Sequence, residues 1–142
     1  MAITQAVANS FKTEVLTAVH NFTATTGDTF KIALFTSSAT LSKSTTAYSA
    51  TNEVSGTGYS SGGNTLTSVT PVLSTDTAVC DFADSSWTTA TITARGALIY
   101  NSSQSDKAVV VLDFGGDKTS TAGTFTIQFP AADASNAILR LA

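Results

Sequence analysis

Few residues in this chain could do chemistry. There is one histidine, His20, and one cysteine, Cys80, so a Ser-His-Asp or Cys-His device would have to be built on His20, and no Gly-x-Ser-x-Gly elbow accompanies it. Structural zinc needs several Cys and His ligands, which the composition excludes. Oxygen ligands for calcium are easier to find. Asp81 and Asp84 flank Phe82, and Asp113 and Asp117 flank Gly115-Gly116, yet neither pair has the spacing of a dedicated calcium loop, and aspartates so placed serve turns. Eight Asp and two Glu could supply the paired carboxylates of glycoside hydrolysis, but nothing in their spacing nominates two. The stretch Gly56-Thr57-Gly58-Tyr59-Ser60-Ser61-Gly62-Gly63 lacks the lysine of a P-loop, the third glycine of the dinucleotide fingerprint and a helix to follow. The reading is of no catalytic residue, no cofactor and no metal. Tyr48, Tyr59 and Trp87 could stack on sugar rings if exposed, although Trp87 beside the Phe82 strand reads better as a core plug.

The elements that would hold these residues are mostly strands. Apolar β-formers return in three bursts between Ile92 and Phe129, at 97–100, 109–112 and 125–129. The spacers Asn101–Asp106 and Phe114–Asp117 carry the Asn, Asp, Ser and Gly chemistry that reverses a chain, so three consecutive buried strands are expected. The unbroken apolar run at 108–112 implies a strand covered on both faces, in the middle of a sheet. Phe30–Thr36 reads as another buried strand, and Thr65–Leu73 with Ala78–Phe82 as a hairpin across Ser74-Thr75-Asp76. Further strands are expected at 84–87, 89–93 and 137–141. Cys80, inside the alternating run Thr77–Phe82, reads as a small core residue.

One helix is predicted, over residues 4–22. Val7, Phe11, Val15, Ala18, Val19 and Phe22 recur at three- and four-residue steps, Thr4 can cap the first turn, and Thr23–Asp28 ends it. His20 then sits near the helix C-terminus as a dipole-compatible surface group. The long Ser-, Thr- and Gly-rich segment from Ser37 to Thr67 is the kind of loop that usually serves function or a partner. Together these features predict a mainly β, single-domain chain over 1–142, a β-sandwich of jelly-roll or immunoglobulin-like kind with an N-terminal helical arm at 1–24.

Composition narrows the classes further. At 142 residues the chain can bury a core without staples, and its lone cysteine cannot form an internal disulfide. Charged residues are only 12% of the chain, with net charge −3. Seven scattered basic residues cannot form a phosphate-binding stripe, so no nucleic-acid partner is expected. The opening Met1–Ala6 lacks the features of a secretory signal, and no apolar run approaches the roughly 18 residues that span a bilayer, so a soluble chain with no membrane partner is expected.

Several segments resemble a family of small virion structural proteins of tailed bacteriophages. The likeness runs through Asn9-Ser10-Phe11-Lys12, Lys31–Thr36, Thr46–Tyr59, Phe82–Trp87, Thr93–Tyr100, Leu112–Gly116 and Ile138–Leu141, and so covers most of the chain. The resemblance implies a capsid cement or decoration protein, commonly a homotrimer, made in the host bacterial cytoplasm and placed on the capsid surface of the virion. Its partners would be the major capsid protein and copies of itself, and it would not be an enzyme. The expected contact surface comprises the helix stripe Val7, Phe11, Val15 and Val19, with Tyr48 and Tyr59 on the long loop. A tail or head-to-tail connector component, and a carbohydrate-binding host-attachment module, are the competing expectations.

Overall fold

The computed structural model describes residues 2–142. The fold is mainly β, a sandwich of two antiparallel sheets with one short helix near the N-terminus. Its elements are β1 (Ala6–Val7), α1 (Asn9–Leu16), β2 (Phe30–Phe35), β3 (Asn64–Thr65), β4 (Ser68–Ser74), β5 (Thr77–Phe82), β6 (Ser85–Asn101), β7 (Lys107–Ile127) and β8 (Leu139–Leu141). The larger sheet has the order β1-β7-β6-β2-β3 and the smaller one β4-β5-β8.

The buried centre is where β2, the second half of β6 and the first half of β7 lie side by side. Ile32 pairs with Ile99, and Ile99 with Val110, and all three are buried. Both faces of β2 are covered, because Phe30, Ile32, Ala33, Leu34 and Phe35 are all buried. This is the arrangement that apolar runs without alternation anticipate. Across the sandwich, Phe82 of β5 packs on Phe30 with ring centroids 5.9 Å apart, while Phe22 stacks on Phe30 at 4.3 Å. An aromatic cluster thus joins the two sheets, and burying such rings dominates core energetics.

Several expectations are corrected. The helix spans Asn9–Leu16 and not 4–22. Residues 6 and 7 are instead a strand, paired with Val111 and Val110, because the edge of β7 offers backbone partners there that a helix would leave empty. The cap is the backbone of Ala8, with no side-chain cap bond, so Thr4 does not perform that role. At the other end Ala18 adopts a left-handed conformation (φ 61°); its N–H donates to the Val15 carbonyl and that of Val19 to the Glu14 carbonyl. This pair of bonds is a Schellman stop. It places Val19 beyond the helix.

Phe114–Asp117, expected to reverse the chain, lies inside β7. Ala94 pairs with Lys118 and Gly96 with Asp113, so β7 bulges by three residues at this point and then resumes pairing. Asp113 accepts from the Gly115 N–H, and Asp117 pairs with Arg95 at 2.9 Å, which satisfies the bulge locally. The bursts at 109–112 and 125–129 therefore belong largely to one strand, and those at 84–87, 89–93 and 97–100 likewise fuse into β6. The hairpin across Thr75-Asp76 is present, joining β4 to β5. The final strand is shorter than expected, at Leu139–Leu141.

An L-residue in the left-handed region is strained where glycine is not. Ala18→Gly should therefore raise stability by about 1 kcal/mol, read as an upward shift of the thermal midpoint by about 2–4 °C.

Candidate interaction surface

Residues 36–63 form a long connection, and it is not loose. Glu53 gathers four donors: Tyr59 Oη (2.6 Å) and the Gly62 N–H (2.8 Å) on Oε1, and Tyr48 Oη (2.7 Å) and Ser61 Oγ (2.8 Å) on Oε2. Tyr59 Oη in turn accepts the Leu34 N–H at 2.9 Å, tying the loop to β2. Tyr100 donates to the Gly62 carbonyl at 2.7 Å, and the Tyr48 ring stacks on the Tyr100 ring at 4.6 Å. Two of the three tyrosines of the chain thus donate to one carboxylate, and the third, Tyr100, holds the same loop through the Gly62 carbonyl. Gly63 makes the close approach possible: it has φ +75°, and a Cβ there would collide with the Ile32 carbonyl.

The next part of the same segment lies over the outer half of β6. The Thr91 N–H donates to the Thr57 carbonyl, and the Tyr59 ring packs on Trp87 at 5.9 Å. Trp87 is buried, as a core plug should be. No aromatic platform is made by these residues, since Tyr48 and Tyr59 are engaged in the Glu53 network and Trp87 lies beneath.

His20 is not a surface group. It lies past the helix with its side chain fully covered, beside the Phe11 ring at 4.8 Å. The Asn101 amide is oriented by two bonds, with Oδ1 accepting the Ser103 N–H and Nδ2 donating to Asp28 at 2.8 Å. Its Nδ2 therefore faces His20 Nδ1 as a donor at 3.0 Å, which leaves Nε2–H to donate to Glu14 Oε1 at 2.9 Å. Burial tends to raise the Asp28 pKa, but bonds from Asn101, the Asn21 N–H and Gln104 overcome it and hold the carboxyl below its ordinary value. This relay fastens residues 20–28 to the β6–β7 turn. It has no hydroxyl or thiol nucleophile hydrogen-bonded to His20.

The described residues contain no group of three His, Cys, Asp or Glu side chains that could hold a metal ion. Among the described residues no helix is long and apolar enough to cross a membrane.

The surface that stands out is an apolar groove of about 790 Å³ between α1 and the small sheet. Val7, Phe11 and Val15 line its helix side, and Ala78, Cys80, Leu139 and Leu141 its sheet side. Three of the residues singled out from sequence thus meet at one place. Val19, Tyr48 and Tyr59 do not line it. Cys80 is half-buried in the groove wall, and burial pushes its thiol up to about 11, so it is a neutral apolar group there. Leu16 at the helix end is 79% exposed, Leu141 62% and Leu73 73%. Leu73 pairs with Ala78 and Ala78 with Leu141, so these three side chains sit in one row across three strands. Sequence periodicity located the helix half of this surface. The sheet half was hidden, because Leu73, Ala78 and Leu141 become neighbours only through pairing.

Glu53→Gln replaces a four-fold acceptor with a group that can accept on one atom only, and should cost about 2 kcal/mol in denaturant unfolding. Burial first, and then the bond to Glu53, raise the Tyr59 phenol far above its ordinary value, and burial does the same at Tyr100. A raised folded pKa means that the unfolded chain releases these protons first. Stability should fall above about pH 8.5, first as the unfolded Cys80 thiol ionises and then, above about pH 10, as the tyrosines do, and Tyr59→Phe should flatten only the part of the fall above about pH 10 in urea midpoints measured between about pH 8 and 11.

Comparisons with models of protein families, with curated proteins and with solved structures return no match to this chain, so no relative lends its function to this surface.

Proposed function

We propose that this chain is a structural subunit of a tailed-bacteriophage virion, a cement or decoration protein that binds the assembled lattice of major capsid proteins and stabilises the head. The observation that carries this reading is the concentration of exposed large apolar side chains. Leu16 and Leu141 line one groove and Leu73 extends its sheet wall, while Val69 and Val72 are exposed on the other face of β4, on a body otherwise rich in Ser and Thr hydroxyls. Apolar patches on one side of a stable domain mark contact with another macromolecule. The resemblance of segments such as Thr46–Tyr59 and Thr93–Tyr100 to phage virion proteins supplies the kind of partner.

The mechanism is mass action. A subunit that binds the assembled shell and not the free capsid protein shifts the equilibrium towards the shell by its binding free energy. Stiffness serves this purpose, since a preformed surface loses little conformational entropy on docking. The two sheets, the Glu53 network and the His20 relay all fasten segments that would otherwise have to be ordered at the moment of contact. No enzymatic role is proposed, because the only histidine is covered and lacks a nucleophile partner. A carbohydrate-binding role loses its main support with Tyr48, Tyr59 and Trp87 committed to internal contacts.

Quantitative gels of purified virions should give copies on the order of hundreds per particle, as repetition over a symmetric shell requires. The purified chain should bind empty shells but not unassembled capsid protein. A copy number of a few to a few dozen would instead assign the chain to the tail or connector.

A further inference from the structure

We infer that the β6–β7 ribbon contains a two-state joint at residues 88–91 and 121–124, held in its bulged state by the 55–58 segment, and that its second state turns Trp87 and Phe125 from the core to the surface. The inference does not depend on the role proposed above.

The pairing register is the first argument. Outside the joint Trp87 pairs with Phe125, and inside it Ile92 pairs with Ser120. That is five steps along β6 and five along β7, so the ladder leaves the joint in the register in which it entered. Only Ala90, opposite Gly123, is out of step, because each strand bulges once and the two bulges compensate. Each bulge contains a left-handed residue, Thr89 (φ 49°) on β6 and Ala122 (φ 46°) on β7. Neither is a glycine, and the β-branched Thr89 is the more strained. A ladder without bulges would run through the same register with both residues extended and the strain gone.

The strain is offset by what the bulges do to the faces. Alternate residues of a strand point to opposite faces. Trp87 and Ile92 are an odd number of residues apart, yet both are buried, and inward burial passes from Ser85 and Trp87 to Ala90, Ile92 and Ala94 across the joint. In the unbulged ladder, with Ile92 kept in the core, the ribbon end turns over. Trp87 and Phe125 then face water, and Ser86 and Thr126, now exposed, face inward. Two left-handed residues stand against two buried rings, opposing contributions of similar size, which is the condition for a minor state to be populated.

The 55–58 segment decides between them. The Thr91 N–H donates to the Thr57 carbonyl at 3.0 Å, and the Ala122 N–H donates to Thr91 Oγ1 at 3.0 Å, so backbone donors of the joint are spent outside the β6–β7 ladder. Gly58 (φ +84°) lies so close that a Cβ there would stand 2.8 Å from Ala90 Cα and 2.9 Å from the Thr89 carbonyl oxygen. A Cβ on Gly56 would collide with the Thr91 carbonyl. The segment therefore fits the bulged backbone closely, and the Tyr59 ring that follows it packs on Trp87. Straightening residues 89–91 redirects these groups and removes the seat of the segment. The consequence is an aromatic pair concealed while the segment is down and presented when it lifts.

The test uses the purified full chain. Saturation-transfer NMR should find a minor state in which the Cα shifts of Thr89 and Ala122 move from left-handed to extended values, with no change at 97–100 or 108–111. Thr89→Gly with Ala122→Gly removes the strain at two exposed positions and should lower the minor population at least about tenfold. Gly58→Ala should unseat the segment and make the extended form dominant, with red-shifted Trp87 emission open to acrylamide. Trp87→Thr with Phe125→Thr removes the opposing burial without touching the segment, and should also give extended shifts at 89 and 122; it decides the matter if Gly58→Ala does not fold. Absence of the minor state in the parent chain overturns the inference. So do left-handed shifts that persist in the folded variants, and so does a minor state whose changes extend to 97–100 and 108–111, which is global unfolding.

Discussion

The pairing of β6 with β7 is the constraint on which the rest of the fold depends. These are the two longest strands, and every other part of the larger sheet is hung on them, β1 on the outer side of β7 and β2 with β3 on the far side of β6. The pairing is not uniform. Near the Asn101–Lys107 turn it is buried on both faces, whereas towards Ser85 and Ile127 one face is solvated, with hydroxyl pairs such as Thr93–Thr119 and Ser86–Thr126 at 2.9 Å. Bulges between these regions let one ribbon serve as core at one end and as surface at the other.

Once the ribbon is in place, the two irregular segments need separate fastening, and each is fastened by a single polar centre. Glu53 holds 36–63 against β2 and β6, and Asn101 holds 20–28 against the turn through Asp28 and His20. Both centres are well supplied with partners, which is the condition under which buried polar groups stabilise a fold and specify it. Their different locations divide the molecule. The tyrosine network lies on the side of β2 and β3, and the helix with its groove lies over the small sheet.

Much of the fold was legible in sequence where a local pattern coincided with a tertiary demand. Phe30–Phe35 reads as a largely buried strand because Lys31 is its one polar residue and both faces otherwise carry apolar side chains, and the β4–β5 hairpin is announced by Ser74-Thr75-Asp76 between β-formers. Errors arose where a local pattern had a competing solution. Val7 fits the helical spacing of Phe11 and Val15, but pairing with Val110 takes it into a strand. Gly115-Gly116-Asp117 has the composition of a reversal, yet the ribbon absorbs it as a bulge. At the surface, Glu53 gave no sequence signal, because its four donors come together only when the long loop folds back. His20 was misplaced for the same reason that the helix was drawn too long.

The position of the aromatic residues carries an optical consequence. Trp87, the only indole of the chain, packs beside Tyr59 and Phe125 under the 54–59 segment, and it is not among the residues that line the groove. Intrinsic fluorescence therefore monitors closure of the long loop and is blind to occupancy of the groove, whereas a dye carried by the lone thiol would report on the groove and ignore the loop. One molecule thus offers two independent reporters, one for its own folding and one for the company it keeps.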